Sequence, residues 1–296
     1  RRQRQMCIRD RSLCDDFPGE YWRKLDSNRS YPEEFVEALT KAGYLACLIP
    51  EEYGGSGLPL KAACAILEEI QRSGGNGAAC HAQMYIMGAL LRHGSEEQKN
   101  KYLPKLDSAE YLGAYSLSEA GSGTDAAAMV ARASEDGDFY TLNGEKMWVT
   151  NGTTADLFVL FAKVTDHPDY GEKKHGGVTC FIIEKGFEGF KIGKKEDKLG
   201  IRSSDTCTLI LDNCKVPKEN VLGNVGKGFA IAMNALDNSR IGIAAQGLGI
   251  AQGAYEAALK YSKERETFGK PIAAHQTIGN YLACLLYTSP SPRDLS

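Results

Sequence analysis

The stretch Tyr115-Ser116-Leu117-Ser118-Glu119-Ala120-Gly121-Ser122-Gly123-Thr124-Asp125 combines hydroxyls, glycines and two carboxylates in a turn that directly follows an apolar run. Gly121 and Gly123 have no Cβ, so the backbone can approach a ligand closely and turn its N–H groups toward one point. Ser118 and Thr124 supply short hydroxyl donors. Such a loop is suited to phosphates or ring heteroatoms, and the alternative is an ordinary turn between two strands.

Two further segments accompany this loop in the sequence. Trp148-Val149-Thr150-Asn151-Gly152 lies at the end of a second predicted strand, and Arg265-Glu266-Thr267-Phe268-Gly269 with Gln276 lies on later helical sequence. In this order and spacing the three motifs resemble those of the acyl-CoA dehydrogenase family of flavoproteins. The resemblance covers roughly residues 30–283 and favours the short- and medium-chain branch of that family.

Composition and charge argue against several other classes of protein. The chain has 296 residues, of which 43% are hydrophobic, and its net charge of −3 gives no electrostatic footprint for nucleic acid. No apolar run approaches the ~20 residues that span a bilayer. Nine cysteines without a C-x-x-C pair indicate reduced thiols in a cytosol-like compartment, and five unclustered histidines give no reason to expect a structural metal site.

The spacing of hydrophobic residues changes along the chain and predicts a multi-domain protein with α and β domains. Residues 12–110 are predicted to form an N-terminal helical bundle, residues 111–222 a middle small β-barrel, and residues 223–283 the start of a truncated C-terminal helical bundle. Residues 1–11 and 284–296 read like translated sequencing adapters, so we expect non-native ends and a chain clipped at both termini. The alternative is a native basic arm and a native Ser/Pro tail.

Local signals predict how some helices begin and which of them are buried. Ser30-Tyr31-Pro32-Glu33 and Ser95-Glu96-Glu97-Gln98 both have the form of a capping box. Residues 78–91 are apolar nearly all round, which predicts a buried helix whose His81 belongs to the core rather than to a ligand site.

Glycine and asparagine signals predict turns and close contacts. Residues 139–150 read as a hairpin with Asn143-Gly144 at its turn, and residues 223–228 read as a linker before a helix rather than a phosphate loop. Four later glycines are predicted to keep one helix face thin, so that another helix can approach closely: Gly242, Gly247, Gly249 and Gly253.

The resemblance implies an FAD-dependent oxidation of an acyl-CoA thioester to its trans-2-enoyl product. In that reaction a carboxylate removes the α-proton while the β-hydrogen leaves as hydride to flavin N5, and the electrons pass to an electron-transfer flavoprotein. The resemblance also implies a homodimer or homotetramer, located in a bacterial cytoplasm or a mitochondrial matrix. The alternatives are an acyl-CoA oxidase-like relative and a noncatalytic flavin- or acyl-CoA-binding protein.

Site residues follow from the resemblance, position by position. Those expected to contact the flavin are Tyr115, Leu117, Ser118, Gly121, Gly123, Trp148, Val149, Thr150, Arg265, Phe268 and Gln276. Those expected to contact the acyl-CoA are Thr124, Asp237 and Arg240, although for Arg240 the alternative is an ion pair to an acid such as Asp237. Arg265 and Gln276 are expected to act on the flavin of a neighbouring subunit.

The catalytic base is the missing part of this assignment. One branch of the family places a Glu immediately before the Arg of the CoA-contacting segment, but this chain has Ser239 there. The other branch takes its Glu from a late C-terminal helix that we expect this chain to lack. No residue of the sequence is therefore assigned as the base.

Overall fold

The computed structural model describes residues 11–288. Residues 1–10 and 289–296, which make up most of the two predicted non-native ends, lie outside the described part. The chain begins with a helical region, continues through a mixed sheet and returns to helices, in the order expected from the sequence. The helices of the first region are α1 (Gly19–Asn28), α2 (Glu33–Lys41), α3 (Leu60–Arg72), α4 (Ala78–His93) and α5 (Glu96–Asp107).

The first helical region forms around α4, which is buried on nearly every side as its composition predicts. One side of α4 packs into a core with α2 and α3, through residues such as Met84, Phe35 and Ile66. Its other side, including Ile86 and Leu90, packs against the sheet. A helix in contact with apolar neighbours on both sides has no polar stripe, which explains the continuous apolar sequence.

Only one of the two predicted capping boxes forms. The Ser95 hydroxyl accepts a hydrogen bond from the Gln98 backbone N–H, and the Gln98 side chain accepts one from the Ser95 N–H. At the start of α2 the prediction was wrong, because Pro32 is the N-cap residue and makes no side-chain cap. The backbone N–H of Ser30 instead donates to the Leu25 carbonyl and closes the end of α1.

The middle region is a single eight-stranded sheet. Its strands are β1 (Gly113–Ser116), β2 (Arg132–Asp136), β3 (Phe139–Thr150), β4 (Leu157–Val164), β5 (Val178–Glu184), β6 (Phe190–Lys195), β7 (Thr206–Pro217) and β8 (Val221–Leu222). The strand order is β6-β7-β3-β2-β4-β5-β8, and β1 pairs with β4 in parallel. One face of the sheet packs apolar side chains against the helices. The other face encloses a second apolar core formed mainly by the middle region itself.

The strand β4 shows how one apolar run serves both cores. Leu157, Val159 and Phe161 belong to the cluster shared with α4 and α5. Phe158 and Leu160, which alternate with them, belong to the core formed with β3 and β7. Successive side chains of a strand point to opposite faces, so a strand buried on both faces reads as uninterrupted hydrophobic sequence.

The predicted hairpin over residues 139–150 was wrong, because these residues form one continuous strand. The Asn143 side chain crosses to β7, where its Oδ1 accepts from the Asn213 backbone N–H at 2.9 Å. The register between β3 and β7 shifts at this point, with the extra residue on β7. Gly144 is needed for close contact rather than for a turn, since a Cβ there would lie 2.9 Å from Ala131.

The chain returns to helix at α6 (Gly228–Glu264), and the segment predicted as a linker over residues 223–228 forms the connection before it, except that its last residue, Gly228, already begins the helix. A short hairpin of β9 (Glu266–Thr267) and β10 (Lys270–Pro271) precedes the last helix, α7 (Gln276–Thr288). The helix α7 continues across the boundary predicted at residues 283 and 284. No helix within the described residues 11–288 is long and apolar enough to cross a membrane.

Candidate functional site

The loop after β1 presents an open backbone surface. It is closed at its base by a pair of hydrogen bonds, because Glu119 and Ser122 each donate their N–H to the carbonyl of the other, at 2.9 and 3.1 Å. Beyond that base, Gly121 and Gly123 are exposed, and a Cβ built on either would meet no atom within 4 Å. Thr124 is exposed in the same segment. The tip of the loop is therefore free to receive a ligand from the solvent side.

The start of this loop is anchored in the core. Tyr115 packs its ring 5.3 Å from Phe161 and donates its hydroxyl to the Ala232 carbonyl at 3.4 Å. Burial raises the pKa of the Tyr115 phenol, so this group stays protonated. Leu117 is also buried, whereas Ser118 is half-buried at the point where the loop leaves the core.

Trp148 lies beside this loop and turns its ring outward. Its backbone is in the left-handed region, with φ of 56°, and 57% of the residue is exposed. The register between β3 and β7 shifts between Lys146 and Val149, so β3 carries one extra residue here and forms a bulge. The backbone N–H of Met147 donates to the Ser118 carbonyl at 2.9 Å, which joins the two predicted flavin segments directly.

The rest of the Trp148 segment returns into the core. Val149 is buried in the apolar core of the sheet, and Thr150 is half-buried. Asn151 is again left-handed, with φ of 62°, and its N–H donates to the Asp205 carbonyl at 2.9 Å. Two residues with strained backbone so close together require support from their surroundings, and such features concentrate at functional sites.

A planar ring system with a polar tail fits this surface. The exposed indole of Trp148 offers a flat apolar face, and the glycine loop offers space in which backbone N–H groups can be reached. The donors near the loop are neutral hydroxyls and backbone amides, together with the exposed ammonium of Lys174 that pairs with Asp125, and such donors suit ring heteroatoms and phosphate oxygens.

A buried ion pair beneath the loop was not predicted from the sequence. Lys146 is fully buried, and its Nζ lies 2.7 Å from Glu119 Oε1. The signal was present in β3, where Tyr140, Leu142 and Lys146 recur at even spacing on the inward face. An inward-facing lysine requires a buried partner, because an unpaired charge in an apolar core is very costly.

An apolar crevice between α3, α4 and α6 was also missed. A cavity of about 160 Å³ is lined mainly by apolar residues, among them Leu48, Leu60, Met87 and Leu91. It shares Leu48 and Leu60 with a narrower cleft that continues past His81, Tyr85 and Ser239. The residues come from three distant segments, so no local sequence pattern marks the crevice.

The predicted acyl-CoA contacts on α6, Asp237 and Arg240, flank in sequence two residues that line this crevice but do not line it themselves. Asn238 and Ser239 line it, while Asp237 and Arg240 on the outer side form an ion pair at 3.3 Å with about 70% of each side chain exposed. The ion pair with Asp237, which was the alternative to an acyl-CoA contact for Arg240, is therefore present in this structure. An ion pair this exposed contributes little stability, so it leaves the guanidinium available to a stronger anionic partner.

The third predicted segment lies in a different part of the molecule. Arg265 caps the end of α6, and Phe268, which is 95% exposed with φ of 54°, sits at the tip of the β9–β10 hairpin. Gln276 is exposed at the start of α7. Arg240 and Arg265 are 25 positions apart, which places them about 37 Å apart along the helix axis. Arg265 therefore does not share a ligand group with Arg240 of the same chain.

Comparison with known proteins agrees with this arrangement. Three family descriptions match the chain: "Acyl-CoA dehydrogenase, N-terminal domain" over residues 2–110, "Acyl-CoA dehydrogenase, middle domain" over residues 114–214, and "Acyl-CoA dehydrogenase, C-terminal domain" over residues 226–288. Together they account for most of the chain.

Individual relatives are similar over most of this chain. A short-chain specific acyl-CoA dehydrogenase of Clostridium acetobutylicum is 43% identical over 262 residues, which cover 88% of this chain and 68% of that protein. A mitochondrial isovaleryl-CoA dehydrogenase of Solanum tuberosum is 43% identical over 271 residues, which cover 90% and 64%. This chain spans about two thirds of the length of these relatives.

A solved structure shares the fold. The structure described as the electron transferring flavoprotein of Acidaminococcus fermentans superposes with a TM-score of 0.92 at 39% identity, and the match covers 99% of this chain and 76% of that one. The expected arrangement of an N-terminal helical, a middle β and a C-terminal helical domain is confirmed. By its domains, its relatives and its fold, the chain belongs to the acyl-CoA dehydrogenase family.

Proposed function

We propose that this protein is an FAD-dependent acyl-CoA dehydrogenase that oxidises short-chain acyl-CoA thioesters to trans-2-enoyl products. One observation carries the proposal: an outward-facing, left-handed Trp148 lies beside an open glycine loop, and the two are joined by the bond between Met147 and Ser118. This places a flat apolar ring and accessible backbone donors on one surface. Bound FAD would supply the acceptor for the β-hydrogen.

Three regions of this chain would bind the flavin ring, the CoA phosphate and the acyl tail. The glycine loop, with Ser118, would bind the polar edge of the flavin ring, and Trp148 would cover one side of the ring and exclude water from it, while Thr124 at the end of the loop would contact the acyl-CoA. Arg240 would hold a phosphate of the CoA, because a guanidinium makes paired hydrogen bonds to phosphate oxygens. The crevice between α3, α4 and α6 would receive the acyl tail.

The size of the crevice supports a short acyl chain. At ~30 Å³ for a water-sized group, a cavity of about 160 Å³ has room for roughly five such groups. The similarity to a short-chain specific dehydrogenase points the same way. A long saturated chain would require α3 and α6 to move apart.

The carboxylates near the site do not serve well as the base that removes the α-proton. Glu119 is buried and accepts hydrogen bonds from Lys146 and from the N–H groups of Val130 and Ala131. Asp237 faces solvent and pairs with Arg240. The hydroxyl of Ser239 is too weak a base for an α-proton next to a thioester. The base is therefore proposed to come from outside these positions, as in the branch of the family that uses a late C-terminal Glu.

The electron acceptor, the oligomeric state and the location of the protein are also proposed. An electron-transfer flavoprotein is the proposed acceptor, and association into a homodimer or homotetramer is proposed because the family resemblance assigns Arg265 and Gln276 to the flavin of a neighbouring subunit, and the adjoining hairpin with Phe268 is exposed. The relatives come from a bacterium and from a mitochondrion, which supports a bacterial cytoplasm or a mitochondrial matrix as the location.

A flavin-retention experiment tests the proposal. The purified chain is mixed with FAD, dialysed and examined by visible absorption, alongside Trp148→Ala and the control Phe139→Ala. Phe139 is a matched control because it is a partly exposed aromatic residue at the opposite end of the same strand. We expect the chain and the control to retain FAD with the same spectrum, and Trp148→Ala to shift the flavin absorption. Loss of all FAD from the unaltered chain, or an unchanged spectrum in Trp148→Ala, would contradict the proposal.

Ligand titrations then test the substrate class. Butyryl-CoA is expected to perturb the bound flavin spectrum at lower concentration than palmitoyl-CoA does. If a catalytically competent form reduces a dye without consuming oxygen, it is a dehydrogenase, whereas rapid oxygen consumption would favour the oxidase alternative. Equal affinity for both thioesters would contradict the short-chain proposal.

A further inference from the structure

The pair of Lys146 and Glu119 is almost completely enclosed beneath the glycine loop. The Lys146 side chain is 0% exposed and that of Glu119 is 5% exposed, with Nζ and Oε1 at 2.7 Å. The ammonium also donates to the Leu117 carbonyl at 3.1 Å. The Glu119 carboxylate accepts two further bonds, from the N–H of Val130 at 2.6 Å and from the N–H of Ala131 at 3.2 Å.

Burial makes this pair expensive to maintain. It lowers the pKa of the Lys146 ammonium, and the attraction of Glu119 opposes that effect. Replacement of a buried ion pair by apolar side chains of similar volume is often neutral or stabilising, so stability alone does not explain why charges lie here. A polar pair does provide fixed directions and distances, because each of its hydrogen bonds has a required geometry.

The position of the pair relates its bonds to the site. Lys146 is two residues before the bulge residue Trp148, and Glu119 is two residues before Gly121. Through Lys146, β3 is attached to Leu117 and to Glu119 on either side of the Met147–Ser118 backbone bond. Through Glu119, the same loop is attached to the start of β2.

We propose that Lys146 and Glu119 are positioning residues that set the distance and angle between the glycine loop and Trp148, and so determine how tightly and in what geometry the flavin ring is held. This rests on the proposed FAD site. Neither side chain needs to touch the flavin, because both act through Leu117, Ser118 and Trp148. Gly121 and Gly123 at the exposed tip have no side chains with which to pack, so the bonds at the base of the loop, together with the Ser122–Asp125 hydrogen bond and the Lys174–Asp125 ion pair, define its position.

The test compares a charge-free pair with a matched control in the same chain. The double variant Lys146→Met/Glu119→Gln keeps the volume of both side chains and leaves no unpaired charge in the core. The control is Arg72→Met/Glu69→Gln, which removes a largely buried ion pair in the helical region, with side chains 15% and 11% exposed. If the first double variant does not fold, Lys146→Gln/Glu119→Gln provides the same comparison, because it replaces the ion pair by two neutral amides and also leaves no unpaired charge.

Three measurements are made on each protein: the thermal unfolding midpoint, the FAD dissociation constant per folded molecule, and the visible circular dichroism of the bound flavin. Amide hydrogen exchange of residues 117–125 is also measured without FAD. We expect Lys146→Met/Glu119→Gln to weaken FAD binding on the order of tenfold or more, to alter the flavin dichroism and to speed loop exchange, because small errors in site geometry are costly. The control is expected to change only the unfolding midpoint.

The possible outcomes separate this proposal from the proposed function. If the unaltered chain does not bind FAD, the proposed function fails, and the loop exchange still shows whether the pair positions the loop. If FAD affinity and flavin dichroism of the Lys146→Met/Glu119→Gln variant equal those of the unaltered chain, the pair is merely structural and the proposal is overturned. A loss of FAD affinity of the same size in the control overturns it as well.

Discussion

His81 is a single residue whose charge bears on the acyl crevice. It lies on α4 with 8% exposure, and its Nε2–H donates to the Ser239 carbonyl at 2.9 Å. Its ring meets the Tyr85 ring edge-on at 4.9 Å. Burial lowers the pKa of His81 from its ordinary value of 6.5, and the Ser239 carbonyl offsets this in part, so the folded protein holds the imidazole neutral near pH 7.

This depressed pKa predicts a pH dependence of stability. Below pH 6.5 the unfolded chain binds a proton at His81 that the folded chain does not, so stability falls as the pH falls from 6.5 toward the folded pKa. The slope from one proton is at most about 1.4 kcal/mol per pH unit. We expect the thermal midpoint to fall less steeply between pH 6.5 and 5 in His81→Gln than in the unaltered chain.

The matched control is His175→Gln, because His175 is exposed in the loop before β5. That variant should keep the pH dependence of the unaltered chain. Equal slopes in His81→Gln and the unaltered chain would show that another group causes the loss of stability at acid pH.

The sequence predicts the position of a site residue when its contacts are with neighbours in the sequence, and it misses contacts between distant segments. The outward position of Trp148 and the open glycines follow from motifs in which the residues are neighbours in sequence. The pairing of Lys146 with Glu119 depends on two segments 27 positions apart that meet only when β3 reaches the loop. The alternation of β3 indicates that Lys146 faces inward, but it does not identify the partner.

Among the elements, α6 depends on its glycines for its contact with α3. A Cβ on Gly249 would lie 2.2 Å from the Glu68 carbonyl oxygen, and one on Gly253 would lie 2.4 Å from that of Arg72. These are backbone atoms, which cannot move aside without separating the helices. Gly242 approaches the His81 ring in the same way, whereas Gly247 has no atom within 4 Å, so the expected close face is confirmed at three of the four glycines.

Two alanine substitutions on α6 are therefore expected to have opposite effects. Gly249→Ala should destabilise the protein by about 1–3 kcal/mol, the typical cost of overpacking a core contact. Gly247→Ala, on the exposed face of the same helix, should stabilise it by about 0.5–1 kcal/mol because alanine loses less conformational entropy in a helix. Thermal unfolding midpoints measure both, and a shift of the same sign in the two variants would contradict the close-contact explanation.

Helices and strands are predicted best from sequence where the spacing of hydrophobic residues is regular. They are predicted worst where the same residue pair occurs in two different local structures. The short β-branched or aromatic runs over residues 157–163, 178–184 and 206–216 predict strands, and the strands β4, β5 and β7 begin and end within one residue of these bounds. Asn143-Gly144 is the usual signal of a two-residue turn, but here Asn143 pairs with a bulge on β7 and Gly144 packs on Ala131. Only the contacts with the neighbouring strand show that Asn143-Gly144 lies within a continuous strand and not in a turn.

For the whole molecule, the order of domains is readable from the sequence but the sheet is not. The strand β3 pairs with β7, about 60 residues later, and β1 and β2 both pair in parallel with β4 at successive positions. Pairings at such separation leave no local trace, since each strand shows only its own alternation. The hairpin that carries Arg265 likewise gives no indication of which copy of the chain it serves.

The position of Arg265 predicts that flavin binding joins two copies of the chain. Arg265→Ala should weaken FAD binding by about 1.5–3 kcal/mol, the value of charge-assisted hydrogen bonds to a diphosphate. Lys270→Ala, in the same exposed hairpin, is the control and should bind FAD normally. If FAD content after dialysis is equal in Arg265→Ala and the unaltered chain, the assignment of Arg265 is wrong.

Mixing of two defective variants tests which copy Arg265 serves. When Arg265→Ala and Trp148→Ala chains associate, one site of the mixed dimer has both residues intact if Arg265 acts across the interface. One of the two sites should then bind FAD with both the affinity and the flavin absorption of the unaltered chain, a combination that neither variant shows alone. No recovery would show that Arg265 acts within its own chain.

The outward turn of Trp148 also gives the protein a built-in optical reporter. The sequence contains two tryptophans, and the other one, Trp22, is 6% exposed and packed edge-on against Phe35 at 4.8 Å. Trp22 should therefore emit at short wavelength and resist quenching by iodide, while Trp148 should emit at longer wavelength and be quenched readily. The intrinsic fluorescence thus has two separable components, one that follows unfolding of the helical region and one that follows occupation of the glycine loop, without any added label.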